Sequence, residues 1–258
     1  MLIFCHSLMG KRLLVDNCCK AISVKIYLLE RDNMHMLASG IESARARYPK
    51  HIGIIPDGNR RWSEKKGMPK EKGYEQGIDP GLTLFRLCQQ TGIKEISYYG
   101  FTTDNVKRPA EQTRAFTEAC IKAVRILSLE DAALLVLGNS DSASFPKELM
   151  PFTKRTIFGN GGVKVNFLVN YGWEWDLNLL KLADPARRNI VNNIKSAEIS
   201  RIDLIIRWGG RSRLSGFLPV QSIYADIFVL DAYWPDFKPE HFLQALSWYQ
   251  KQDVTLGG

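Results

Sequence analysis

Short apolar runs alternate with longer segments of helical periodicity along most of the chain, and this alternation limits the fold more than any other feature. Each run ends at a glycine, a proline or a polar residue and predicts a buried strand. Strands joined by helices need crossover connections, so we predict an α/β fold with a central, mostly parallel six-stranded sheet flanked by helices. The predicted strands are Ile52–Ile55, Ile96–Tyr99, Leu134–Leu137, Val163–Val169, Leu204–Ile206 and Ile227–Leu230.

Helical patterns fill the segments between these strands. The predicted helices are Leu82–Cys88, a helix beginning at Pro109, Pro146–Phe158, Leu177–Leu182 and Pro239–Gln252. Gly92 is expected to end the first of them, and Pro185 is expected to interrupt the fourth.

The start of the chain differs from the rest. Its first apolar run is too short to span a bilayer, and no basic region precedes it as in a signal peptide. We interpret residues 1–33 as a disordered tail or an over-long gene start, because Met34 and Met36 are natural starts. Residues 1–50 are therefore predicted to be a partly disordered extension, followed by a single domain over residues 51–258.

Composition narrows the class of partner. The formal net charge of +8 favours anionic partners, which include nucleic acid, anionic lipid and polyphosphate substrates. Five cysteines without a metal-ligand spacing indicate a reducing cytoplasm. The sequence has no G-x-x-x-x-G-K-[ST] loop, no G-x-G-x-x-G after a strand and no nucleophile elbow. Its aromatic residues lie near apolar runs rather than among lysines and arginines, which argues against a nucleic-acid partner.

Three polar clusters follow three separate predicted strands: 56–62, 100–109 and 207–216. In the first, Asp57 offers a hard oxygen ligand for Mg2+, Gly58 lets the backbone approach a phosphate, and Arg60 and Arg61 can fork onto phosphate oxygens. Taken alone, this cluster is more typical of an ordinary turn.

The other two clusters have the same chemical character. The second places hydroxyls, an amide and two cations at a helix start, where anions bind, although a plain capping loop would look similar. The third gathers arginines, serines and glycines as in a phosphate cradle or a basic surface loop. Because ligands bind beyond the carboxyl ends of strands in open α/β sheets, the agreement of all three clusters predicts a diphosphate site.

At these residues the chain resembles the cis-prenyltransferase family, which includes undecaprenyl diphosphate synthases. The matching segments are HIGIIPDGNRRW, FTTDNVKRP, NYGWEWD, IDLIIRWGGRSRLSGF and QSIYADIFVLDAYWPDF, between about His51 and Gly258. The resemblance implies a Mg2+-dependent homodimer that condenses an allylic diphosphate with isopentenyl or dimethylallyl diphosphate and releases diphosphate. It also implies a hydrophobic tunnel for the growing chain, and an apolar product would bring the enzyme into peripheral contact with a membrane.

The resemblance assigns roles to single residues. Asp57 matches the aspartate that binds Mg2+ and the allylic diphosphate, and Asp226 matches a carboxylate that reaches the metal across the dimer. Thr102 and Asn105 belong to the loop that shapes the reaction centre and complete the predicted catalytic set. The predicted substrate-binding residues are Gly58, Asn59, Arg60, Arg61, Trp62, Lys70, Tyr74, Phe101, Arg108, Arg207, Arg213 and Ser215, of which the last three match the isopentenyl diphosphate site.

Several positions depart from the long-chain members. Tyr74 stands in place of a histidine, Val106 of a tryptophan, Trp208 of a threonine and Arg211 of a glutamate. These features are similar to an irregular branch that makes lavandulyl or cyclolavandulyl diphosphate by head-to-middle coupling of two dimethylallyl diphosphates. We therefore predict a short product, with irregular coupling as the alternative.

An apolar stripe at helical spacing has two interpretations. Phe116, Cys120, Ala123 and Leu127 could line a product tunnel, but plain core packing is the more common role for such residues. Phe167 and Leu168 are bulky near the expected tunnel floor, which is consistent with a short product.

The sequence is also compatible with two other functions. A non-catalytic partner subunit of the same fold would lack the metal aspartate, which is present here as Asp57. A basic nucleic-acid-binding module would bind with a steep dependence on salt and without regard to diphosphates.

Overall fold

The structure is a computed structural model that describes residues 48–182 and 190–253. The predicted extension, up to residue 47, and the predicted interruption at Pro185 lie outside the described residues. Within the described ranges, no helix is long and apolar enough to cross a membrane.

The core of the domain is a seven-stranded sheet. Its strands are β1 His51–Ile55, β2 Glu95–Tyr99, β3 Ala132–Leu137, β4 Thr156–Phe158, β5 Val163–Leu168, β6 Leu204–Arg207 and β7 Asp226–Val229. Their order across the sheet is β4-β3-β5-β2-β1-β6-β7, and every pair is parallel except β3 with β4. The predicted α/β class, the mostly parallel sheet and all six predicted strands are confirmed.

The seventh strand corrects the prediction of a helix over Pro146–Phe158. Lys147–Phe152 forms a 3-10 helix that contains Pro151, and Thr156–Phe158 pairs with β3 instead. Pro151 has no N–H to donate, so a regular helix cannot continue through it. A three-residue edge strand leaves too little periodicity to be recognised in sequence.

Six helices accompany the sheet in the described residues. They are α1 Asn59–Lys65, α2 Lys72–Glu75, α3 Ile78–Thr91, α4 Ala110–Leu127, α5 Trp173–Leu177 and α6 Pro239–Tyr249. Gly92 ends α3 in the left-handed region at φ 74°, as predicted, and Pro109 caps the start of α4. The predicted helix over Leu177–Leu182 is mostly a 3-10 helix, Asn178–Leu182, and the helices α1 and α2 were not predicted.

The centre of the sheet fixes where the polar clusters meet. Every residue of β1 and β6 is buried, as expected for parallel strands covered on both faces. β1 lies between β2 and β6, with Ile54 beside Tyr98 and Ile55 beside Arg207. The carboxyl ends of these three strands are therefore level, and the loops that follow them are neighbours.

Candidate active site

The loops after β1, β2 and β6 form one cleft of about 540 Å³ at the carboxyl edge of the sheet. All three polar clusters contribute to its wall, so Asp57, Arg108 and Arg207 face a shared cavity. The predicted residues in the wall are Asp57, Gly58, Asn59, Arg60, Arg61, Lys70, Tyr74, Thr102, Asn105, Arg108, Arg207, Arg213 and Ser215.

Three predicted residues do not line this cleft. Trp62 turns away and donates its Nε1–H to Asp236 at 2.7 Å. Phe101 is buried beneath the second loop, edge-on to Phe116. Asp226 begins β7 beside Leu204, at the amino end of the sheet, so it is remote from the cleft of its own subunit.

Asp57 is held by two guanidinium groups. Its Oδ2 accepts a hydrogen bond from Arg207 at 2.8 Å, and its Oδ1 lies 3.3 Å from Arg61. Burial by itself raises the pKa of Asp57, but Arg207, Arg61 and the Gly58 N–H together hold it below the ordinary value. The carboxylate is therefore ionised at neutral pH and remains partly exposed to the cleft.

Arg207 is the most deeply placed cation of the cleft. Only 3% of it is exposed, because it ends the central strand β6. One side of its guanidinium binds Asp57, and the other donates to the carbonyl of Arg213 and to Ser215 Oγ, the latter at 3.1 Å. Arg207 thus ties the first polar loop to the third.

Two glycines with positive φ allow the loops after β1 and β6 to approach each other closely. Gly209 has φ 85°, and a Cβ there would lie 2.5 Å from Arg61 Nη2 and 3.2 Å from the Asp57 backbone. Gly58, at φ 106°, lies close against the ring of Tyr233. A side chain at either position would strain the backbone and push into the groups that surround Asp57.

The second loop is closed by Asn105. Asn105 Oδ1 accepts a hydrogen bond from the Thr102 backbone N–H at 3.1 Å, and the Asn105 carbonyl accepts one from the Arg108 N–H at 3.1 Å. Asn105 is buried within the 3-10 helix Thr103–Lys107, and its side chain forms a capping box with the N-cap residue Thr102. In this arrangement Asn105 fixes the position of the backbone that carries Arg108.

Arg108 points toward an aromatic pair. Its Nη1 donates to the hydroxyl of Tyr74 at 3.0 Å, and its guanidinium lies 5.7 Å from the ring centre of Phe116. Burial raises the pKa of Tyr74 above its ordinary value, although Arg108 and Arg60 oppose the shift. The phenol is therefore neutral at physiological pH.

An apolar cavity of about 70 Å³ adjoins the cleft. Pro56, Asn59, Tyr74, Gly100 and Phe116 line both spaces. The predicted stripe of Phe116, Cys120, Ala123 and Leu127 lines the cavity, and so does Phe167. The stripe thus faces a space that shares five lining residues with the polar cleft.

Sequence reasoning missed other residues of the wall. Tyr99 ends β2 and donates its hydroxyl to the carbonyl of Ser215 at 2.6 Å, and burial raises its pKa. Glu64 pairs with Lys70, and Arg211 adds a further cation. The position of Tyr99 directly before the second cluster was the available signal, but its apolar neighbours in β2 indicated only a buried strand.

The charges of the wall fit a polyanion. Its cations are Arg60, Arg61, Lys70, Arg108, Arg207, Arg211 and Arg213, and its carboxylates are Asp57, Glu64 and Asp104. Cations that converge in a cleft bind phosphate more strongly than the same cations on an open surface. The adjoining apolar cavity would suit the hydrocarbon tail of the same ligand.

Comparisons of the sequence and the fold with known proteins also indicate a prenyl diphosphate enzyme. The profile of the family described as undecaprenyl diphosphate synthase matches residues 55–257. An isoprenyl transferase of Prochlorococcus marinus is 33% identical over 230 residues, which cover 82% of this chain and 86% of that protein. A ditrans,polycis-undecaprenyl-diphosphate synthase of Vibrio vulnificus is 27% identical over 228 residues, with coverage of 81% and 90%.

A solved structure shares the fold. The lavandulyl diphosphate synthase from Lavandula x intermedia, in complex with dimethylallyl diphosphate, has a TM-score of 0.72 to this chain. It covers 82% of this chain and 99% of its own length at 20% sequence identity, so the likeness is one of fold. Together with the profile match and the 33% identical relative, the position of the cleft leads to one conclusion: the chain belongs to the undecaprenyl diphosphate synthase family of prenyltransferases.

Proposed function

We propose that the protein is a Mg2+-dependent, cis-type prenyltransferase that condenses an allylic diphosphate with isopentenyl diphosphate, releases diphosphate and makes a short product. One observation carries the proposal: cations from three separate loops surround the ionised Asp57 in a cleft that adjoins an apolar cavity. A polar end for diphosphates joined to an apolar space for a hydrocarbon tail matches the two halves of a prenyl diphosphate.

Asp57 fits the requirement for a magnesium ligand. Mg2+ is usually held by one or two carboxylates together with phosphate oxygens of the substrate and water. A single aspartate is therefore sufficient, although residues 48–182 and 190–253 contain no group of three or more side chains placed to ligate a metal. When bound, the ion would neutralise part of the charge of the departing diphosphate.

Arg61 and Arg108 are proposed to hold the allylic diphosphate. As the C–O bond breaks, the diphosphate gains negative charge, and preorganised cations stabilise that charge without having to reorganise. Arg61 neutralises Asp57 in the absence of substrate and would turn to phosphate oxygens when substrate enters. Thr102 and Asn105 support the reaction centre by fixing the loop before Arg108.

Arg207, Arg213 and Ser215 are proposed to hold the isopentenyl diphosphate. They come from the end of β6 and the loop that follows it, and they are already linked by hydrogen bonds. Their position would direct the double bond of isopentenyl diphosphate at the allylic carbon, where a C–C bond forms and a proton is then lost. Proximity of this kind accounts for a large part of the rate of two-substrate enzymes.

The size of the apolar cavity supports a short product. An apolar cavity of about 150 Å³ holds one benzene molecule, so a cavity of about 70 Å³ leaves room for no more than a small hydrocarbon group. A tail longer than one five-carbon prenyl group would require the cavity to widen. Dimethylallyl diphosphate is therefore the proposed donor, and irregular coupling of two dimethylallyl diphosphates is the alternative that the same cavity would allow.

A homodimer is part of the proposal. β7 is the last strand of the sheet, and Ile223, Tyr224 and Ile227 are exposed in or beside it. An exposed apolar patch along a sheet edge is typical of an association surface. Pairing there would let Asp226 serve the partner subunit, in the role that the resemblance implies. A cytoplasmic location and peripheral membrane contact through the product belong to the same proposal.

Mass analysis of the dephosphorylated product tests the function. Purified protein with Mg2+ receives dimethylallyl diphosphate alone, and then together with labelled isopentenyl diphosphate. We expect a ten-carbon product that carries the label, and a loss of at least a hundredfold in Asp57→Ala with the fold retained. An unlabelled ten-carbon product from dimethylallyl diphosphate alone would establish irregular coupling. Absence of any coupling would reject the enzyme and favour a non-catalytic subunit.

A further inference from the structure

An aromatic ring lies beside the cation that pairs with Asp57. The Arg61 guanidinium lies over the ring of Tyr233, with 5.1 Å between its central carbon and the ring centre. This separation is within the range of a cation–π interaction, in which the negative face of the ring attracts the cation. Tyr233 belongs to the segment that follows β7, so a distant part of the chain supplies the contact.

Backbone hydrogen bonds hold Tyr233 between the first and third polar loops. In the third loop, the Gly209 N–H donates to the carbonyl of Ala232 at 2.9 Å. The Trp234 N–H donates to the carbonyl of Asp57, in the first loop, at 3.0 Å. The residues before and after Tyr233 are therefore each bonded to one of the loops that surround the carboxylate. The position of the ring is thus set by both loops.

The ring supports Arg61 without using its hydrogen-bond donors. A cation–π attraction is electrostatic, so the N–H groups of the guanidinium stay available for carboxylate or phosphate oxygens. Arg61 Nη2 lies 3.3 Å from Asp57 Oδ1, and about a third of the Arg61 side chain is exposed. The same ring can therefore hold Arg61 when it pairs with Asp57 and when it turns to a phosphate group.

Other cations of the cleft are fixed in a different way. Arg60 donates an N–H to the side chain of Gln112 at 3.2 Å. Arg108 donates an N–H to the hydroxyl of Tyr74 at 3.0 Å. Each of these donors must leave its partner before it can bind a phosphate oxygen. Support from a ring suits Arg61 better, because Arg61 is the cation proposed to exchange a carboxylate for phosphate.

We propose that Tyr233 is a positioning residue: its ring keeps the Arg61 guanidinium in the cleft while Arg61 exchanges Asp57 for the diphosphate of the allylic substrate. Without the ring, the flexible arginine side chain would populate rotamers that point away from the cleft. Ordering it again on binding would lower the affinity for diphosphate. The inference rests on the proposed function, and it names a residue that acts on the substrate through Arg61.

Fluorination of the ring tests the proposal with little change in shape. Tyr233 is replaced by phenylalanine that carries zero, one, two or three ring fluorines, because fluorine withdraws negative charge from the face of the ring. Calorimetry with Mg2+ and inorganic pyrophosphate then measures the dissociation constant. We expect it to rise stepwise by about tenfold over the series, and kcat/KM for the allylic diphosphate to fall in the same order. A ring that only fills space would give constant values.

Removal of the ring tests whether it acts through Arg61. Tyr233→Leu keeps an apolar contact with Gly58 but has no π face, and it should weaken pyrophosphate binding about tenfold. Tyr233→Phe should keep the affinity within about threefold of wild type, because the ring remains. In an Arg61→Gln background, Tyr233→Leu should have almost no further effect, since the cation held by the ring is gone. An equal loss in both backgrounds would show that the ring acts by packing against Gly58 and would overturn the proposal.

A second cation–π pair provides the matched control. The Tyr224 ring centre lies 4.4 Å from the Arg201 guanidinium, beside the amino end of β7 and away from the cleft. The same fluorinated series at Tyr224 should give a constant pyrophosphate affinity, because this ring holds no cation of the cleft. Equal losses of affinity in the two series would contradict a specific role for Tyr233.

The outcomes distinguish the inference from the function on which it rests. A wild-type protein that binds pyrophosphate but does not couple prenyl diphosphates would reject the proposed function alone. A wild-type protein that couples, with constant pyrophosphate affinity across the Tyr233 series, would overturn the inference alone. A wild-type protein that binds no pyrophosphate would reject both.

Discussion

The ion pair between Asp57 and Arg207 links the stability of the fold to the proposed binding of substrate. Arg207 is almost fully buried, and a buried cation without partners would strongly destabilise the fold. Asp57, Ser215 and the Arg213 carbonyl accept hydrogen bonds from its two terminal nitrogens, while Asp57 keeps about a third of its side chain exposed to the cleft. The buried partner thus holds the exposed carboxylate in one position.

This pair predicts a pH dependence of stability. The pKa of Asp57 lies below its ordinary value of 3.8, so its ionised form is favoured by folding. The corresponding stabilisation is complete above that ordinary pKa and is lost as pH falls through the lower folded value. Urea midpoints measured between pH 7 and pH 2.5 should fall more steeply for wild type than for Asp57→Asn.

Asp104→Asn is the matched control, because Asp104 also pairs with a cation, Lys107, but has 81% of its side chain exposed to solvent. Its profile should follow that of wild type, since exposed pairs contribute little to stability. Parallel profiles for wild type and Asp57→Asn would contradict the role given to Arg207.

At the scale of elements, the loop after β6 depends on glycine. Gly209 and Gly210 both have positive φ, at 85° and 67°, which lets the chain turn under Asp57 and bring Arg211 and Arg213 into the cleft. The loop that we propose to bind phosphate therefore depends on its backbone conformation as much as on its cations.

Substitution of Gly209 should distinguish the effect of backbone strain from the effect of a steric clash between the new Cβ and Arg61. In Gly209→Ala, the new Cβ would lie 2.5 Å from Arg61 Nη2, so Arg61 must move away from Asp57. We expect kcat/KM to fall at least tenfold and the free energy of unfolding to fall by about 1–2 kcal/mol from the left-handed backbone. Steady-state kinetics and urea unfolding measure the two effects.

Gly67→Ala provides the control. Gly67 has a similar φ of 68°, but a Cβ there meets no atom within 4 Å. It should lose comparable stability and keep the activity of wild type. Equal losses of activity in both variants would show that strain alone, rather than displacement of Arg61, disturbs the site.

At the scale of the whole molecule, the two edges of the sheet differ. β4 closes one edge with a short antiparallel strand, whereas β7 closes the other with a parallel strand that carries Asp226. The dimer proposal concerns the β7 edge, where an aspartate with an implied role at the metal lies beside exposed apolar residues.

A charge placed on each edge tests the dimer. Ile223 beside β7 and Ile157 in β4 are 69% and 70% exposed, so a lysine at either position starts from the same exposure. Ile223→Lys should shift the mass found by light scattering from dimer to monomer, because a buried unpaired charge opposes association. Ile157→Lys should leave the dimer intact. A wild-type monomer, or dissociation only in Ile157→Lys, would refute the proposed interface.

The sequence by itself determined the elements and the chemistry of the loops. Apolar runs such as Ile52–Ile55 encode burial locally, and the polar residues that follow them lie at strand ends in any parallel sheet. The three polar clusters could therefore be identified before their contacts were known. The strand β4 and the helices α1 and α2 are too short or too polar to leave a comparable periodic signal.

Only the tertiary structure decided which side chains touch. Asp57 and Arg207 are 150 residues apart in the chain, and Tyr74 and Arg108 are 34 apart. Their contacts follow from the order of strands across the sheet and from the packing of α2 against α4. The free volume behind Phe116 likewise depends on rings and helices from distant segments. Local periodicity in the sequence indicates whether a residue is buried. It does not indicate which residues pack against it, because those neighbours come from distant segments and meet only when the whole sheet has assembled.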